Sequence, residues 1–301
     1  MRLTLKRLSG RATHVAEEEA RRSEKWVVEP LRAGVFARVE ELWRYRRTLW
    51  FLANQARKRP YERMTLGIFW VFARPLIPIL INTLIFGSLL QIKSDGLPYF
   101  LFYLTGMASW HMFDRGLLWA TRSLTQSRGL VKKVYFPRMI VPIASVAPVL
   151  VEFLIFMGLL AGAFVYYRIH DGIWYIRISW GLLVALLVQS LALVLVIAIG
   201  FFTSVAQARH RDVRYSLRYV MQFWSYATPL LYPISAVPEQ YRWLMYLNPM
   251  AAIVQGFKWG VLGVDVFPLW PFVGATVVTT VVFACGFWFF GRAETAAVDK
   301  M

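Results

Sequence analysis

Long stretches of this chain carry no charge, and no other feature of the sequence constrains its fold so strongly. The uncharged gaps run 18 residues from Arg74 to Lys93, 18 from Asp95 to Asp114, 31 from Arg177 to Arg209, 20 from Arg218 to Glu239 and 26 from Asp265 to Arg292. The 29 residues between Arg138 and Arg168 hold a single charge, Glu152. Apolar runs of about 18 or more residues read as membrane-spanning helices, because about 20 helical residues cross a hydrocarbon layer roughly 30 Å thick. Composition agrees: 58% of the residues are hydrophobic, yet Lys and Arg total 34 against 17 Asp and Glu. Such a surplus of positive charge is compatible with that hydrophobicity only if the charge is confined to a few segments. A soluble enzyme is excluded.

The pattern predicts an all-α polytopic membrane protein with six transmembrane helices, at about 65–91, 98–121, 138–167, 177–205, 214–233 and 268–291, inside a transmembrane domain spanning 61–292. Pro75 and Pro78 in the first span, and Pro142 and Pro148 in the third, are expected to kink or loosen their helices. Residues 1–30 read as a weakly structured tail. Over 31–60, Val35, Val39, Leu42, Leu49, Leu52 and Ala56 form an imperfect helical stripe, interrupted at Tyr45 and Arg46 and stopped by Pro60. That stripe predicts an amphipathic interfacial helix, with Trp43, Trp50 and Phe51 at headgroup level. Residues 234–263 contain Pro238, Asn248, Pro249, Gly256, Gly260 and Gly263, too many breakers for an ordinary span and too much apolar surface for an open loop. Short re-entrant helices broken at Asn248-Pro249 are expected there.

Basic residues set the orientation. Arg122, Arg128, Lys132, Lys133 and Arg138 follow the second span with no acid among them, and Arg209, Arg211 and Arg214 follow the fourth. The first 63 residues hold 16 Lys and Arg and no apolar run of signal-peptide type. Both termini, including the tail 293–301, are therefore expected in the cytoplasm of a multi-pass inner-membrane protein.

Chemistry-bearing motifs are sparse. The one cysteine, Cys285, excludes a disulfide scaffold, and the four histidines share no metal-ligand spacing. No Gly-rich phosphate loop followed by Lys-Ser/Thr occurs, so no catalytic residue, metal or cofactor is expected in this chain. The basic residues follow topology, which argues against nucleic acid as a partner. Charges within apolar stretches are costly unless paired. Glu152 is the deepest, a candidate to pair with Arg115 or to line a pathway. Arg211 and Asp212 mark the start of the fifth span, where Asp212 is expected to neutralise an arginine and favour the helix N-terminus. Aromatic rings let a sugar polymer slide past without a fixed hydrogen-bond register. Phe69, Trp70, Phe72, Trp110, Phe113, Trp119, Phe223, Trp224 and Tyr226 are the candidates for such a path, with interfacial belts as the plainer explanation of the other aromatics. In the segment 123–136, Leu130, Val131, Val134, Tyr135 and Phe136 surround Lys132 and Lys133 with more apolar surface than a tether needs, predicting a short helix seated in a partner and stopped by Pro137.

The run Leu130-Val131-Lys132-Lys133-Val134-Tyr135-Phe136-Pro137-Arg138 resembles the permease family of ABC-2 type exporters, in particular the branch that exports O-antigen, teichoic acid and related glycans. So do Arg211-Asp212-Val213, Ser225 to Pro229, Tyr232-Pro233, Val237-Pro238-Glu239, Leu247-Asn248-Pro249-Met250, Gly67 and Thr105-Gly106 with Trp110. The resemblance covers about residues 35–293 and weakens at both ends. It implies a homodimer carrying two copies of a separate ABC ATPase, which binds the ATP and Mg, and a lipid-linked polysaccharide as cargo in contact with membrane lipids. It also implies that 123–136 couples to the ATPase, that 35–59 forms a gate or interface helix, and that Asn248 and Pro249 belong to re-entrant helices near the exit. An exporter of a drug or small lipid, and a scaffold protein with no ATPase partner, are the alternatives.

Overall fold

The computed structural model describes residues 35–58, 67–131, 133–263 and 267–299. Among them every regular element is helical. The chain divides at Glu40, and the packing described below concerns Glu41 onward. The helices are α1 (Val35–Arg44), α2 (Arg46–Lys58), α3 (Gly67–Asn82, continuing as a π-helix over Thr83–Leu89), α4 (Tyr99–Gln126), α5 (Arg128–Val131) and α6 (Ile140–Ser145). They are followed by α7 (Ala147–His170), α8 (Gly181–Arg209), α9 (Val213–Tyr226), α10 (Glu239–Tyr246), α11 (Pro249–Leu262) and α12 (Leu269–Asp299).

The most hydropathic of the membrane-length helices, α8, is the hub, packing against α4, α11 and α12. Lipid tails are as apolar as leucine, so helices associate in a membrane mainly where small residues let their backbones approach. On α8 the buried positions Ala185, Val188, Ala192, Val196 and Gly200 recur at helical spacing. A Cβ added at Gly200 would lie 2.7 Å from the Cβ of Ala120 on α4, and one added at Gly260 of α11 would lie 2.7 Å from the Cβ of Ala185. Polar groups lock the same contact. The hydroxyls of Thr121 and Thr203 are 2.8 Å apart, and the Gln189 amide donates to the Ser109 carbonyl at 3.4 Å. A second core cluster gathers at the opposite end of these helices from Tyr99, joining Leu52 of α2 to Leu124, Ile140, Phe201 and Phe290.

Four helical stretches have the length and apolarity to cross a membrane: Phe69–Leu89, Ile140–His170, Gly181–Arg209 and Leu269–Ala293. The chain is thus a helical multi-pass membrane protein. Two expected spans differ. α4 has 28 residues, about 42 Å of helix, but its polar side chains keep it out of that apolar set, and 18 of its residues are buried inside the protein. α9 ends at Tyr226 after 14 residues, roughly 21 Å. Pro229 and Pro233 lie just beyond, where a missing amide donor cannot continue the helix.

Proline also shapes the long elements. Pro75 and Pro78 lie inside α3, where the Asn82 side chain donates to the Pro78 carbonyl at 2.8 Å, and the π-helical turns begin at Thr83. The expected third span is two helices, separated at Val146, with Pro148 in the first turn of α7. In the amphipathic segment the break falls at Tyr45, between α1 and α2. Leu42, Leu49 and Leu52 turn toward the second core cluster, while Trp43, Trp50 and Phe51 are exposed. Pro60 lies outside the described residues.

The close approaches make a direct prediction. Gly200→Val and Gly260→Val should each lower the thermal midpoint of the detergent-solubilised protein markedly, by more than about 2 kcal/mol of stability. Gly158→Ala on α7, where an added Cβ meets nothing within 4 Å, should shift it little. Equal effects in a fluorescence melting assay would contradict small-residue packing as the determinant.

Candidate functional site

At about 100° per residue, Tyr215, Tyr219, Phe223 and Tyr226 fall within one arc of roughly 80° on α9, with Leu217, Met221 and Trp224 on the opposite side. The structure follows this division. Met221 is buried and Leu217 and Trp224 pack on the main core, while the four-ring stripe is exposed, Phe223 most of all at 74%. The inner face is latched by Asn248, the N-cap of α11. Its Oδ1 accepts from Trp224 Nε1 at 2.8 Å and from the Met250 amide at 3.0 Å. Its Nδ2 donates to Thr228 Oγ1 at 2.9 Å and to the Ala227 carbonyl at 3.3 Å. Asn248 thereby caps one helix and fixes the end of another, and Pro249 follows at a position where its missing amide costs nothing.

The aromatic candidates therefore divide. Phe223 and Tyr226 belong to the exposed stripe, which also contains Tyr215 and Tyr219, two rings that the sequence reading missed although their i, i+4, i+8, i+11 spacing was visible. Trp224 turns inward, with its ring 5.1 Å from Phe113, and Phe113 stands 5.6 Å from Trp110. Trp110 and Phe113 are buried core residues and line no surface of this subunit. Trp119 borders a small cavity of about 30 Å3 with Leu52 and Ser123. Phe69, Trp70 and Phe72 are exposed on α3, Phe69 and Trp70 meeting edge to face at 5.9 Å.

On α4, His111, Arg115 and Arg122 recur at i, i+4 and i+11 along one face. Glu152 of α7 meets the first two: its Oε2 lies 2.9 Å from His111 Nε2 and 3.4 Å from Arg115 Nε. The expected Glu152–Arg115 pair exists, and His111 is a third member whose helical spacing to Arg115 was the overlooked signal. Asp114 lies in the fields of His111, Arg115 and Arg218. The cluster thus ties α4 to α7 with charges that lipid would otherwise penalise.

A second polar anchor was missed altogether. Lys258 of α11, which lies in the breaker-rich segment 234–263, is 4% exposed. Its ammonium donates to the Pro229 carbonyl at 3.1 Å and stands 3.4 Å from the centre of the Phe102 ring. A Cβ at Gly106 would come within 2.8 Å of Lys258 Cε, so a side chain here would have to displace the end of the lysine. Lys258 also borders a cavity of about 430 Å3 with Tyr246, Gln255, Phe267 and Trp270.

The segment 123–136 departs from the single docking helix expected. Ser123 to Gln126 complete α4, and α5 has only four residues, ending at Val131, well before Pro137. Val131 and Phe136 are buried in the second core cluster, and Leu130 packs on its edge. Lys133, Val134 and Tyr135 remain exposed; Lys132 lies outside the described residues. The apolar surplus is shared between the chain's own core and an outward tip. Arg211 and Asp212 sit exposed at the start of α9. The Asp212 carbonyl accepts the Tyr215 and Ser216 amides at 2.9 and 3.1 Å. Its carboxylate makes neither a capping hydrogen bond nor an ion pair among the described residues. The expected neutralisation of an arginine is therefore not realised, and what remains is the favourable placement of an acid at a helix N-terminus.

A profile of the ABC-2 type transporter family matches residues 47–262. Among similar proteins is the O-antigen export system permease protein RfbA of Myxococcus xanthus, 27% identical over 222 residues, covering 73% of this chain and 82% of that protein. Two Klebsiella pneumoniae proteins of the same name are each 23% identical. One match covers 69% of this chain and 77% of its relative, the other 77% and 87%.

The Glu152 cluster yields a test. Glu152→Ala strands Arg115 and His111 and should lower the melting temperature, whereas Glu152→Ala combined with Arg115→Ala should recover part of the loss. A double-mutant cycle should return a coupling of about 1–2 kcal/mol. Additive losses would mean that the pair contributes nothing to holding α4 on α7.

Proposed function

The chain belongs to the ABC-2 type transporter family, and on that premise we propose that it is the membrane-spanning subunit of an ATP-driven exporter of lipid-linked, O-antigen-like polysaccharide. The observation that carries this reading is the exposed stripe of Tyr215, Tyr219, Phe223 and Tyr226. Rings stacked along one helix offer flat apolar faces to successive sugars and demand no fixed register, which suits a polymer that must keep moving. The names of the relatives, all O-antigen export permeases, support the same cargo.

In this reading six helices span the bacterial inner membrane. α4 serves as the second span, sheltered by protein because it carries polar residues, and α9 with the chain up to Pro233 serves as the fifth. α10 and α11 form the re-entrant pair before the last span. The tail 1–30, the interface helix over 31–60 and the C-terminal tail 293–301 lie on the cytoplasmic side, in accord with the basic residues around 122–138 and 209–214. Two copies form the pore. The exposed aromatic faces of α3 and α9 support this, since so large an apolar and aromatic surface suits a partner copy and a passage between the two.

ATP and Mg belong to a separate ABC ATPase, two copies per dimer. Lys133, Val134 and Tyr135 form the outward tip that seats in it, with Lys132 beside them in sequence. Val131 and Phe136, held in the core with Leu130 at its edge, anchor that tip to α2, α6 and the ends of α4 and α8. A push at the tip is thereby delivered to packed helices rather than to a loose loop. Glu152 with Arg115, and Asn248 with Pro249, hold α9 and its neighbours in register while cargo passes.

Two experiments test this assignment. In proteoliposomes containing the chain and its ATPase, Tyr219→Ala with Phe223→Ala should reduce translocation of lipid-linked glycan about tenfold, with the ATPase still bound. Undiminished glycan movement, or movement of small amphiphiles alone, would count against the glycan path. Val134→Asp with Tyr135→Asp should release the ATPase on size-exclusion chromatography, and a retained complex would remove the tip from the coupling interface.

A further inference from the structure

The later turns of α4 pack against α9, and each helix brings two arginines to this region: Arg115 and Arg122 from α4, Arg214 and Arg218 from α9. Arg122 lies within electrostatic reach of Arg214, Arg218 and Arg115, and its remaining neighbour in that field is the phenol of Tyr215 rather than a carboxylate. Nearby acids are already engaged: Glu152 bonds Arg115 and His111, and Asp114 lies in the fields of Arg115 and Arg218. Four arginines against two carboxylates leave an excess of two positive charges. Arg214 donates through Nη2 to the Tyr215 hydroxyl at 2.6 Å. Even so, the Nε atoms of both Arg122 and Arg214 are buried and have no acceptor among the described residues.

Like charges gathered beside an apolar slab repel one another, and an anion seated among them would relieve that repulsion and supply the acceptors that the buried Nε atoms lack. Arginine forks match the paired oxygens of phosphate groups. The aromatic stripe of α9 begins at Tyr215 in the same place, so an anion held here would lie at the start of that stripe. We propose that Arg122, Arg214 and Arg218, with Arg115 one level further along α4, bind a doubly negative phosphate or diphosphate group carried on a lipid. This inference rests on the exporter reading, and it adds that the charged link between lipid anchor and glycan, rather than sugar alone, is what the subunit grips on the side where the cargo enters.

The test uses the full transporter, with its ATPase, in phosphatidylcholine nanodiscs. Undecaprenyl diphosphate, undecaprenol and phosphatidylglycerol serve as probes, and binding is read by native mass spectrometry and tryptophan fluorescence. Arg122→Gln with Arg214→Gln should weaken undecaprenyl diphosphate binding at least tenfold and leave undecaprenol binding unchanged. Arg122→Lys with Arg214→Lys retains the charge but loses the fork, and should fall between the two. Melting curves of all variants separate a lost site from a lost fold, and the lysine pair provides the comparison if the glutamine pair is unstable. Selective loss of the diphosphate probe assigns the site to the cargo anchor, and equal loss of phosphatidylglycerol assigns it to bilayer phosphate. Unchanged binding of both in the glutamine and lysine pairs overturns the proposal. No glycan is present in the assay, so its failure is distinct from a failure of glycan export.

Discussion

Close backbone contact along α8 is the condition on which the other elements depend. Lipid supplies no hydrophobic force between helices, so association has to come from dispersion at short range and from a few internal hydrogen bonds. Ala185, Val188, Ala192, Val196 and Gly200 present a nearly smooth ridge, against which Ala120 of α4 and Gly260 of α11 fit. Once α8 screens them from lipid, its partners can carry residues that no lipid-facing helix tolerates. α4 carries Ser109, His111, Asp114 and Arg115, and α11 carries Lys258. Glu152 of α7 and the arginines of α9 aside, the buried polar residues of the bundle's helices thus lie on α8 or on helices that pack against it.

Much of this was legible beforehand because it follows from one-dimensional rules. Uncharged runs mark long helices, prolines mark their interruptions, and Asn248-Pro249 reads as a cap followed by a first turn. Glu152 could be matched with Arg115 because an isolated charge in an apolar run must find its opposite. What stayed hidden depends on helix rotation. Trp110, Phe113 and Trp224 are chemically indistinguishable from Phe223 and Tyr226 in the sequence, yet three face the core and two face outward. Lys258 was invisible as an anchor because a basic residue in a breaker-rich segment looks like a connection charge. The surface of Leu130 to Phe136 was overcounted for the same reason: nothing in the sequence separates Phe136, which fills its own core, from Tyr135, which does not.

Among the helices of more than ten residues, α3 and α9 pack least against the rest of the subunit and carry the most exposed aromatic rings. α9 is held by its Leu217, Met221 and Trp224 edge and by the Asn248 latch at its end, while its outer face makes no use of the subunit's own core. α3 contains two prolines and a π-helical stretch, features that loosen the regular hydrogen-bond ladder. Weakly packed elements are those that can shift without unfolding the rest. On the proposed reading, a passage lined by them would adjust to a moving chain while α4, α8, α11 and α12 stay fixed.

The buried ammonium of Lys258 also bears on biogenesis. A lysine within a helix raises the free energy of entry into lipid, by up to about 2.5–3.5 kcal/mol at the centre of a spanning helix, and α11 has only 14 residues with which to offset it. The groups that accommodate this charge, the Phe102 ring and the Pro229 carbonyl, lie on segments made earlier in synthesis. On the proposed re-entrant reading, α11 is therefore poorly suited to enter the bilayer as an independent hairpin. It becomes acceptable there after α4 and the chain following α9 are in place, which makes the order of synthesis from the N-terminus part of how the subunit is assembled.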